Sequence, residues 1–371
     1  MKITNVETLI LRYPQAAPGE GRADAQHRFS GGAGVAIRLQ SDVGITGHGY
    51  VGLGVAAPAT EAIQALIEGL FAPVILGEDP FYPRRLRDRL WHEVEYVGVE
   101  GIAHFALTAL DATFWDMMAR ALRVPGWHLL GACRDRIPAY AMVGWYYDDD
   151  ETLDKFKRAI EVALADGMAG IKIKVGRGPL EEDVRRIEVA RSLVGQEGIL
   201  MVDANQVLSR NEALRRGRIY EEMGCYWFEE PLRPHDKEGY ARLCAELDIP
   251  VATGENEYAK YHVQELIRLN ACDILQPDCR RTGGPSEWME IAGLAAACHI
   301  PIASHGGDGV TTHLLMATPT AIWCETGGKP KGPGLFVDQA RIEGGYVYAP
   351  EAIGFGMELR EEVIERYGVR K

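Results

Sequence analysis

The sequence lacks a hydrophobic run long enough to cross a membrane. No window of the chain approaches about eighteen uncharged apolar residues in a row, the length that a transmembrane helix requires. The first residues, MKITNVETLILRY, contain no apolar stretch of the length found in secretion signals. We therefore expect a cytoplasmic protein that makes no membrane contact.

The sequence also lacks a cluster of basic residues. Its 40 Lys and Arg residues stand against 53 Asp and Glu residues, which gives a formal net charge of −13. Such a charge repels nucleic acid and anionic membranes unless a local basic patch overrides it. We therefore expect a small molecule, and not a nucleic acid, as the partner.

The cysteines also lack the spacing that zinc-binding and redox motifs require. The seven cysteines are scattered, mostly in apolar surroundings, and no two of them form a CxxC pair. We expect all of them to be reduced thiols: Cys133, Cys225, Cys244, Cys272, Cys279, Cys298 and Cys324.

What the sequence does contain is enough apolar residues for a large core. With 371 residues and 47% hydrophobic content, the chain can form two domains or one large barrel with an appendage. Residues 2–54 alternate as strands do, with a turn around Asp42 to Gly44, and residues 58–122 show helical spacing. This pattern predicts an α+β domain over residues 1–125, which we call the capping domain, with a polar loop at about 14–32.

From residue 137 onward, short apolar runs alternate with amphipathic segments. Eight such runs predict the strands of a (β/α)8 barrel over residues 126–326. The Gly- and Pro-rich stretch after residue 326 ends in a helix, so we expect residues 327–371 to return to the capping domain.

Ionisable residues fall where these predicted strands end. Active sites of such barrels lie at the carboxyl ends of the strands, and polar groups elsewhere in the core would be costly. The residues are Lys172, Lys174, Asp203, Glu229, Glu255, Asp278, His305 and Glu325.

Three of the acids point to a metal ion. Asp203, Glu229 and Glu255 follow one another at intervals of 26 residues, which is about one strand and helix each. Three carboxylates at one mouth repel each other unless a cation lies between them, and ligation by oxygen with open positions suits Mg²⁺. We therefore predict a Mg²⁺ site.

Six motifs on successive strands resemble the mandelate racemase group of the enolase superfamily. They are KIKVG, VDANQ, FEEP, GEN, PDxxRTGG and SHGG, and the resemblance extends over the barrel and the α+β start. It implies a Mg²⁺ enzyme that removes the proton beside a carboxylate and stabilises the enediolate. Relatives in this superfamily commonly form homo-oligomers, so we expect one here.

The resemblance also implies a role for each residue. Asp203, Glu229 and Glu255 take the places of the metal ligands. The remaining assignments are Lys174 as base, Lys172 as its supporting lysine, Asp278 and His305 as a dyad, and Glu325 as an electrophile toward the substrate carboxylate.

The chemistry of these side chains supports the assignment. A lysine acts as a base at neutral pH only if its pKa is lowered, which a second ammonium group and a divalent cation would both favour. We therefore expect Lys172 to keep Lys174 partly neutral and to attract the substrate carboxylate. A carboxylate on one nitrogen of His305 would fix its tautomer and raise its pKa. Glu325 would have to be protonated to donate a hydrogen bond, which a crowded anionic pocket would favour. We expect Glu230 either to face the other way on its strand or to lie in the turn, and at most to support the residues that touch the ligand.

The barrel motifs leave the reaction open. Lys174 and His305 could act on two faces of one enediolate in a racemase or epimerase, or His305 could protonate a departing β-hydroxyl group in a dehydratase. A barrel that only binds ligand would have to lack the base or the dyad, and both are present.

The loop at about 14–32 is polar, which suits a polyhydroxylated acid if the loop contacts the ligand. Such an acid carries a β-hydroxyl group, so we favour dehydration of a sugar acid, an aldonate or an aldarate. The alternative is a solvated loop that never contacts the ligand. Its polar residues are Arg22, Asp24, Gln26, His27 and Arg28. As substrate-binding residues we predict Arg22, His27, Arg28 and Asn205.

Overall fold

The fold is described from a computed structural model of the chain. The structure describes residues 1–17, 20–29, 31–307, 309–329 and 334–369. Of the predicted substrate loop, Pro18, Gly19 and Ser30 lie outside the described residues.

The N-terminal region contains an antiparallel sheet in the order β1, β4, β5. Alternating side chains bury one face of this sheet, as the sequence predicts, and the turn between β4 and β5 contains Gly44 at φ +80°. The strands of this region are β1 (Ile3–Tyr13), β2 (Arg22–Ala23), β3 (Arg28–Phe29), β4 (Gly32–Ser41) and β5 (Thr46–Leu53).

A long helix, α4, covers this sheet. Two glycines of β5 let it lie close, because a Cβ atom on Gly49 would come within 2.0 Å of the Thr113 hydroxyl oxygen and one on Gly47 within 2.2 Å of a Met117 carbon. The helices of this region are α1 (Ala59–Leu66), α2 (Ala72–Ile75), α3 (Pro83–Glu95), α4 (Ile102–Leu122) and α5 (Gly126–Leu129), with a π-helical turn, Ile67–Phe71, between α1 and α2.

Eight parallel strands within the described residues close into the predicted barrel, because the last of them, β14, pairs with the first, β6. The barrel strands are β6 (Arg136–Gly144), β8 (Gly170–Lys174), β9 (Ile199–Asp203), β10 (Phe228–Glu229), β11 (Val251–Thr253), β12 (Ile274–Leu275), β13 (Ile302–Ala303) and β14 (Ala321–Thr326). A short strand after β6, β7 (Tyr146–Tyr147), pairs with β2.

Helices follow the barrel strands as expected for this fold. They are α6 (Asp154–Ala165), α7 (Leu180–Val194), α8 (Arg210–Glu222), α9 (Lys237–Glu246), α10 (Ala259–Arg268), α11 (Cys279–Thr282), α12 (Gly284–Ala297) and α13 (Val310–Met316). The chain continues with β15 (Ile342–Glu343), β16 (Tyr346–Tyr348) and α14 (Glu361–Tyr367). No helix of the described ranges has both the length and the apolar character needed to span a bilayer.

Strand register brings the charged residues to one level. Trp227 lies inside the barrel and Phe228 packs outward, so the alternation points Glu229 inward again. Lys174 pairs with Asp203 across β8 and β9, and Asp203 pairs with Glu229 across β9 and β10. These three side chains therefore lie side by side at the carboxyl ends of neighbouring strands.

The C-terminal segment contacts both larger parts of the chain. Its strand β16 pairs antiparallel with β6 of the barrel. The N–H of Val369 donates to the carbonyl oxygen of Ile10 in β1. Buried Asp116 of α4 adds a third link, since it accepts hydrogen bonds from the backbone N–H groups of His48 and Phe355. The domain boundaries at residues 125 and 326 stay predictions.

A second buried aspartate of α4 joins the capping region to the barrel. The Asp111 carboxyl accepts from the Ser286 backbone N–H at 2.8 Å and from the Ser286 hydroxyl at 2.7 Å, in the first turn of α12. Burial raises the pKa of Asp111 to about 7, although Arg87 and the Ser286 hydrogen bonds oppose the shift. The carboxyl group therefore holds α12 in place through contacts that depend on its acceptor oxygens.

We expect Asp111→Ala to lower the free energy of unfolding by about 1–3 kcal/mol, because two donors of Ser286 lose their acceptor. Asp111→Asn keeps one acceptor and should cost less. Since the folded pKa of Asp111, about 7, lies above its ordinary 3.8, the stability that this group contributes is present below pH 3.8 and lost as the pH rises through 7. Urea unfolding should therefore show that the free energy of unfolding of Asp111→Asn rises relative to that of the wild type between pH 3.8 and 7. A stability difference between the two proteins that stays constant with pH would contradict the raised pKa of Asp111.

Candidate active site

The predicted catalytic and metal-binding residues lie at the carboxyl end of the barrel. Five are on the strands themselves: Lys172, Lys174, Asp203, Glu229 and Glu325. The loops directly after β11, β12 and β13 carry Glu255, Asp278 and His305. The side chains are buried, except that 22% of His305 is exposed.

A cavity of about 540 Å³ opens among these residues; we call it the catalytic cavity. Residues that line it include Lys174, Trp145, Asn205, Glu255, His305 and Glu325. The N-terminal loop contributes Asp24, Gln26 and His27. The two predicted bases therefore face one space, which the capping region helps to enclose.

Lys172 lies deeper than its partner lysine. Its ammonium group forms ion pairs with Glu229 and Glu325 and lies 3.8 Å from Asp203. Burial lowers the pKa of Lys172, but Glu229 and Glu325 outweigh burial and hold the pKa well above its ordinary value. Lys172 is not among the described residues that line the catalytic cavity. The structure therefore shows Lys172 as an internal counterion of Glu229 and Glu325, and its role toward a substrate carboxylate stays a prediction.

Lys174 is bonded to a carboxylate of the next strand. Its Nζ donates to Oδ2 of Asp203 at 2.5 Å and lies 5.1 Å from the centre of the Trp145 ring. Burial, the largest effect, and Lys172 lower the pKa of Lys174, but Asp203 together with Glu229 and Glu255 raises it, so the net shift is upward. The expectation that Lys172 keeps Lys174 partly neutral is wrong in this arrangement, because the nearest charge is negative.

Glu325 is a carboxylate. Burial raises its pKa, but Lys172 and then His305 lower it to about 2. The group accepts hydrogen bonds from the Tyr140 hydroxyl at 3.0 Å and from the Gly306 N–H at 3.2 Å. The prediction of a protonated Glu325 is wrong because the sequence did not show that Lys172 would lie against it.

The predicted dyad is present. Oδ2 of Asp278 lies 2.9 Å from Nδ1 of His305, and Nε2 of the same ring lies 3.2 Å from Glu255. Burial lowers the pKa of His305, but Glu255 and then Asp278 raise it further, so the net direction is the one expected.

Asp278 also binds two arginines that the sequence interpretation did not assign. Arg280 and Arg281 donate to its carboxylate at 2.7–3.2 Å. Burial raises the pKa of Asp278, but the two guanidinium groups hold it well below its usual range. The run that begins directly after Asp278, Cys-Arg-Arg, was the available signal.

The three predicted metal ligands bind cationic side chains in this structure. Within the described ranges, no group of three His, Cys, Asp or Glu side chains is arranged to hold a metal ion. Asp203 pairs with Lys174, Glu229 with Lys172, and Glu255 with His305. The predicted convergence is therefore not seen, because protein cations supply the balancing charge. The donor chemistry still fits, since buried carboxylate oxygens are what Mg²⁺ prefers.

Glu230 lies in the turn that follows β10, which is one of the two positions expected for it. It is fully buried at φ +41° and accepts from the side chains of Gln206 at 2.8 Å and Asn256 at 2.9 Å. Burial raises the pKa of Glu230 well above its usual value, and Glu255 and Asp203 add to the shift.

The predicted substrate-binding residues separate into two groups. His27 and Asn205 line the catalytic cavity, and the side chain of Gln26 donates to the Asn205 carbonyl oxygen. Arg28 pairs with Asp148 and is not among the described lining residues. Arg22 stacks over Trp145 with 4.7 Å between its Cζ and the ring centre, and it lines an adjoining cavity.

We expect Lys172→Met to lower the free energy of unfolding by about 3–5 kcal/mol, because it leaves Glu229 and Glu325 buried without their cation. The double variant Lys172→Met, Glu325→Gln should recover part of the loss. Lys157→Met, which breaks an exposed pair with Asp154, is the matched control and should change stability by less than about 1 kcal/mol. Urea unfolding measures all three, and a similar stability for Lys172→Met and the control would contradict the counterion role.

Two family profiles match most of the chain. Residues 24–131 match the "Mandelate racemase / muconate lactonizing enzyme, N-terminal domain", and residues 155–363 match the "Enolase C-terminal domain-like" family.

Characterised relatives are similar over most of their length. Arabinonate dehydratase of Saccharolobus solfataricus is 32% identical over 87% of this chain and 88% of its own. A structure of L-talarate/galactarate dehydratase from Salmonella typhimurium LT2, liganded with Mg and L-lyxarohydroxamate, has a TM-score of 0.90 and 32% identity over 100% of this chain and 93% of its own. A racemase from Streptomyces coelicolor A3(2) with bound magnesium has a TM-score of 0.90 and 28% identity over 99% of this chain and 100% of its own.

Proposed function

Because this chain belongs to the mandelate racemase group of the enolase superfamily, we propose that it is a Mg²⁺-dependent lyase that dehydrates a sugar acid to a 2-keto-3-deoxy acid. The observation that carries the proposal is the position of two bases on one cavity. Lys174 lies at the end of β8 and His305 follows β13, and both line the catalytic cavity. A substrate between them would present one face to each.

The proposed reaction begins with removal of the proton beside the substrate carboxylate. The C–H bond breaks, Lys174 or His305 takes the proton, and the electron pair moves into the carboxylate to give an enediolate. His305 then gives a proton to the departing β-hydroxyl group, which leaves as water as the C–O bond breaks. The resulting enol becomes the 2-keto-3-deoxy acid by moving one proton to carbon.

The Asp278 carboxylate prepares His305 for the second step. It accepts the proton of Nδ1, so Nε2 is the ring nitrogen left for proton transfer, and it lies 3.2 Å from Glu255. Asp278 is itself held by Arg280 and Arg281, which fixes the orientation of the ring.

The acidic residues suit a divalent cation. Asp203, Glu229 and Glu255 would hold Mg²⁺, which when bound supplies positive charge against the enediolate and disfavours the charged form of Lys174. The family relation supports this assignment, since related structures are solved with magnesium.

Dehydration is favoured over racemisation by the loop and by the relatives. The loop side of the cavity is polar, with Asp24, Gln26 and His27, which suits a substrate with several hydroxyl groups. Similar proteins include dehydratases of arabinonate and of talarate or galactarate. Racemisation or epimerisation is the second candidate, because two bases on one cavity could exchange a proton between the two faces.

The two bases can be separated by variants. Screening aldonic and aldaric acids with Mg²⁺ for 2-keto product, together with α-proton exchange in D₂O, should first identify a substrate. His305→Asn should then lower product formation by about 10²–10⁴-fold while exchange by Lys174 continues for a substrate whose proton faces the lysine. Lys174→Ala should abolish both exchange and product for that substrate.

His299→Asn is the matched control for His305→Asn. His299 is exposed, and its φ of +58° is one that asparagine adopts readily, so activity should be retained. Wild-type dehydration by both His305→Asn and Lys174→Ala would rule out the two-base site. Exchange with inversion at the α-carbon and no keto product would favour the racemase.

We expect removal of divalent metal to abolish turnover and Mg²⁺ to restore it. Asp203→Ala and Glu255→Ala should act like chelation and lower the affinity for Mg²⁺, as titration calorimetry can measure. Asp236→Ala, which removes an acid paired with Arg210, is the control and should leave the affinity unchanged. Full turnover in excess chelator would end the metal assignment, and a variant with normal Mg²⁺ affinity would remove that residue from the ligand set.

A further inference from the structure

A second cavity of about 530 Å³ adjoins the catalytic cavity; we call it the distal chamber. The two share Met142, Arg280 and Glu325 in their walls. The remaining walls of the distal chamber come from Arg22, from the residues after β13, and from the C-terminal segment, including Phe336 and Phe355. A molecule that reacts beside Glu325 could therefore extend into this chamber.

Arg22 is a cation in this chamber that lacks a protein anion. Within the described ranges its guanidinium group forms no ion pair and no hydrogen bond, and its contact is the stacking on Trp145. Burial lowers the pKa of Arg22. The residue as a whole is exposed, so its charge is tolerated without a counterion, and its unpaired donors are available to an anion in the chamber.

His313 supplies a second unused donor. The backbone N–H of Trp127 donates to Nδ1 of His313 at 3.1 Å, so the ring proton is on Nε2. Only 1% of the residue is exposed, and Nε2 has no hydrogen-bond partner within the described residues. Burial lowers the pKa of His313 to about 3, so the ring is neutral and donates through Nε2. His313 also lines the distal chamber.

The other charges around the chamber are largely compensated already. Glu325 is paired with Lys172, and Arg280 is bonded to Asp278. Among the described residues of the wall, Asp338 is the remaining acid, and no ion pair joins it to Arg22. The unused polar groups of this described wall, Arg22 and Nε2 of His313, are therefore donors, and one of them is positively charged.

We propose that the distal chamber holds the far end of the substrate and that Arg22 and His313 bind a second carboxylate there. The substrate class is then the aldarates, the dicarboxylic sugar acids, and not the aldonates, whose far end is a neutral hydroxyl group. This inference rests on the proposed function, because the reacting end must lie between Lys174 and His305. Asp338 can accept hydrogen bonds from hydroxyl groups of the same chain.

The test compares an aldarate with the aldonate of the same length and configuration. Wild-type enzyme should have the higher kcat/KM for the aldarate. Arg22→Met keeps a side chain that can pack on Trp145 but removes the charge, and it should lower the aldarate-to-aldonate ratio of kcat/KM about tenfold or more, mainly through KM. Arg22→Lys should recover part of the ratio.

Two further variants separate ligand binding from damage to the fold. Arg28→Met removes another arginine of the same hairpin, one that pairs with Asp148, and should leave the ratio unchanged. His313→Asn keeps an acceptor near the Nδ1 position for the Trp127 N–H and removes the Nε2 donor, so it should lower the ratio in the same direction as Arg22→Met.

Binding distinguishes failure of this inference from failure of the proposed function. In a Lys174→Ala background, which should not turn over, titration calorimetry with Mg²⁺ should show tighter binding of the aldarate and about tenfold loss on adding Arg22→Met. Equal effects of Arg22→Met on aldarate and aldonate, or no effect on either, would overturn the inference even if sugar acids are dehydrated. Selective loss of aldarate binding without any dehydration by the wild type would support the site and reject the reaction.

Discussion

The ammonium group of Lys172 is the interaction on which the centre of this barrel depends. It lies between Glu229 and Glu325, with Asp203 3.8 Å away, in a region closed to water. Ionised carboxylates around one buried ammonium group repel one another far more strongly inside a protein than at its surface. Lys172 balances these acids together with Lys174, which binds Asp203, and the Tyr140 hydroxyl adds a hydrogen bond to Glu325. Burial still raises the pKa of Glu229 to about 8, although Lys172 opposes the shift.

Strand geometry explains why so many charged groups meet. Side chains alternate along a strand, so residues two apart point to the same face. Trp227 therefore points into the barrel interior, and Glu229, two residues later, points inward at the mouth. Parallel register then sets Lys174 beside Asp203. The apolar layer below these residues excludes water, which makes each charge pair at the mouth stronger.

The capping region completes the space from above. Its loop brings Gln26 to the backbone of Asn205, while Asp111 binds the first turn of α12. Hydrogen bonds between distant parts of the chain therefore join the loop to the barrel that carries the bases. The distal chamber depends on the same assembly, since Arg22 comes from the cap and Phe355 from the C-terminal segment.

The sequence by itself determined the barrel, the strand ends and the pairing of Asp278 with His305. Hydrophobic periodicity and the order of motifs are properties of the chain itself, so they can be recognised along the sequence. Only the tertiary structure decided which carboxylate each lysine binds, that Glu325 is ionised, that Glu230 binds Gln206 and Asn256, and that Arg28 pairs with Asp148. These outcomes depend on separations of a few ångströms between residues far apart in the chain. Protonation follows the nearest charge, and no pattern along the sequence records which charge that is.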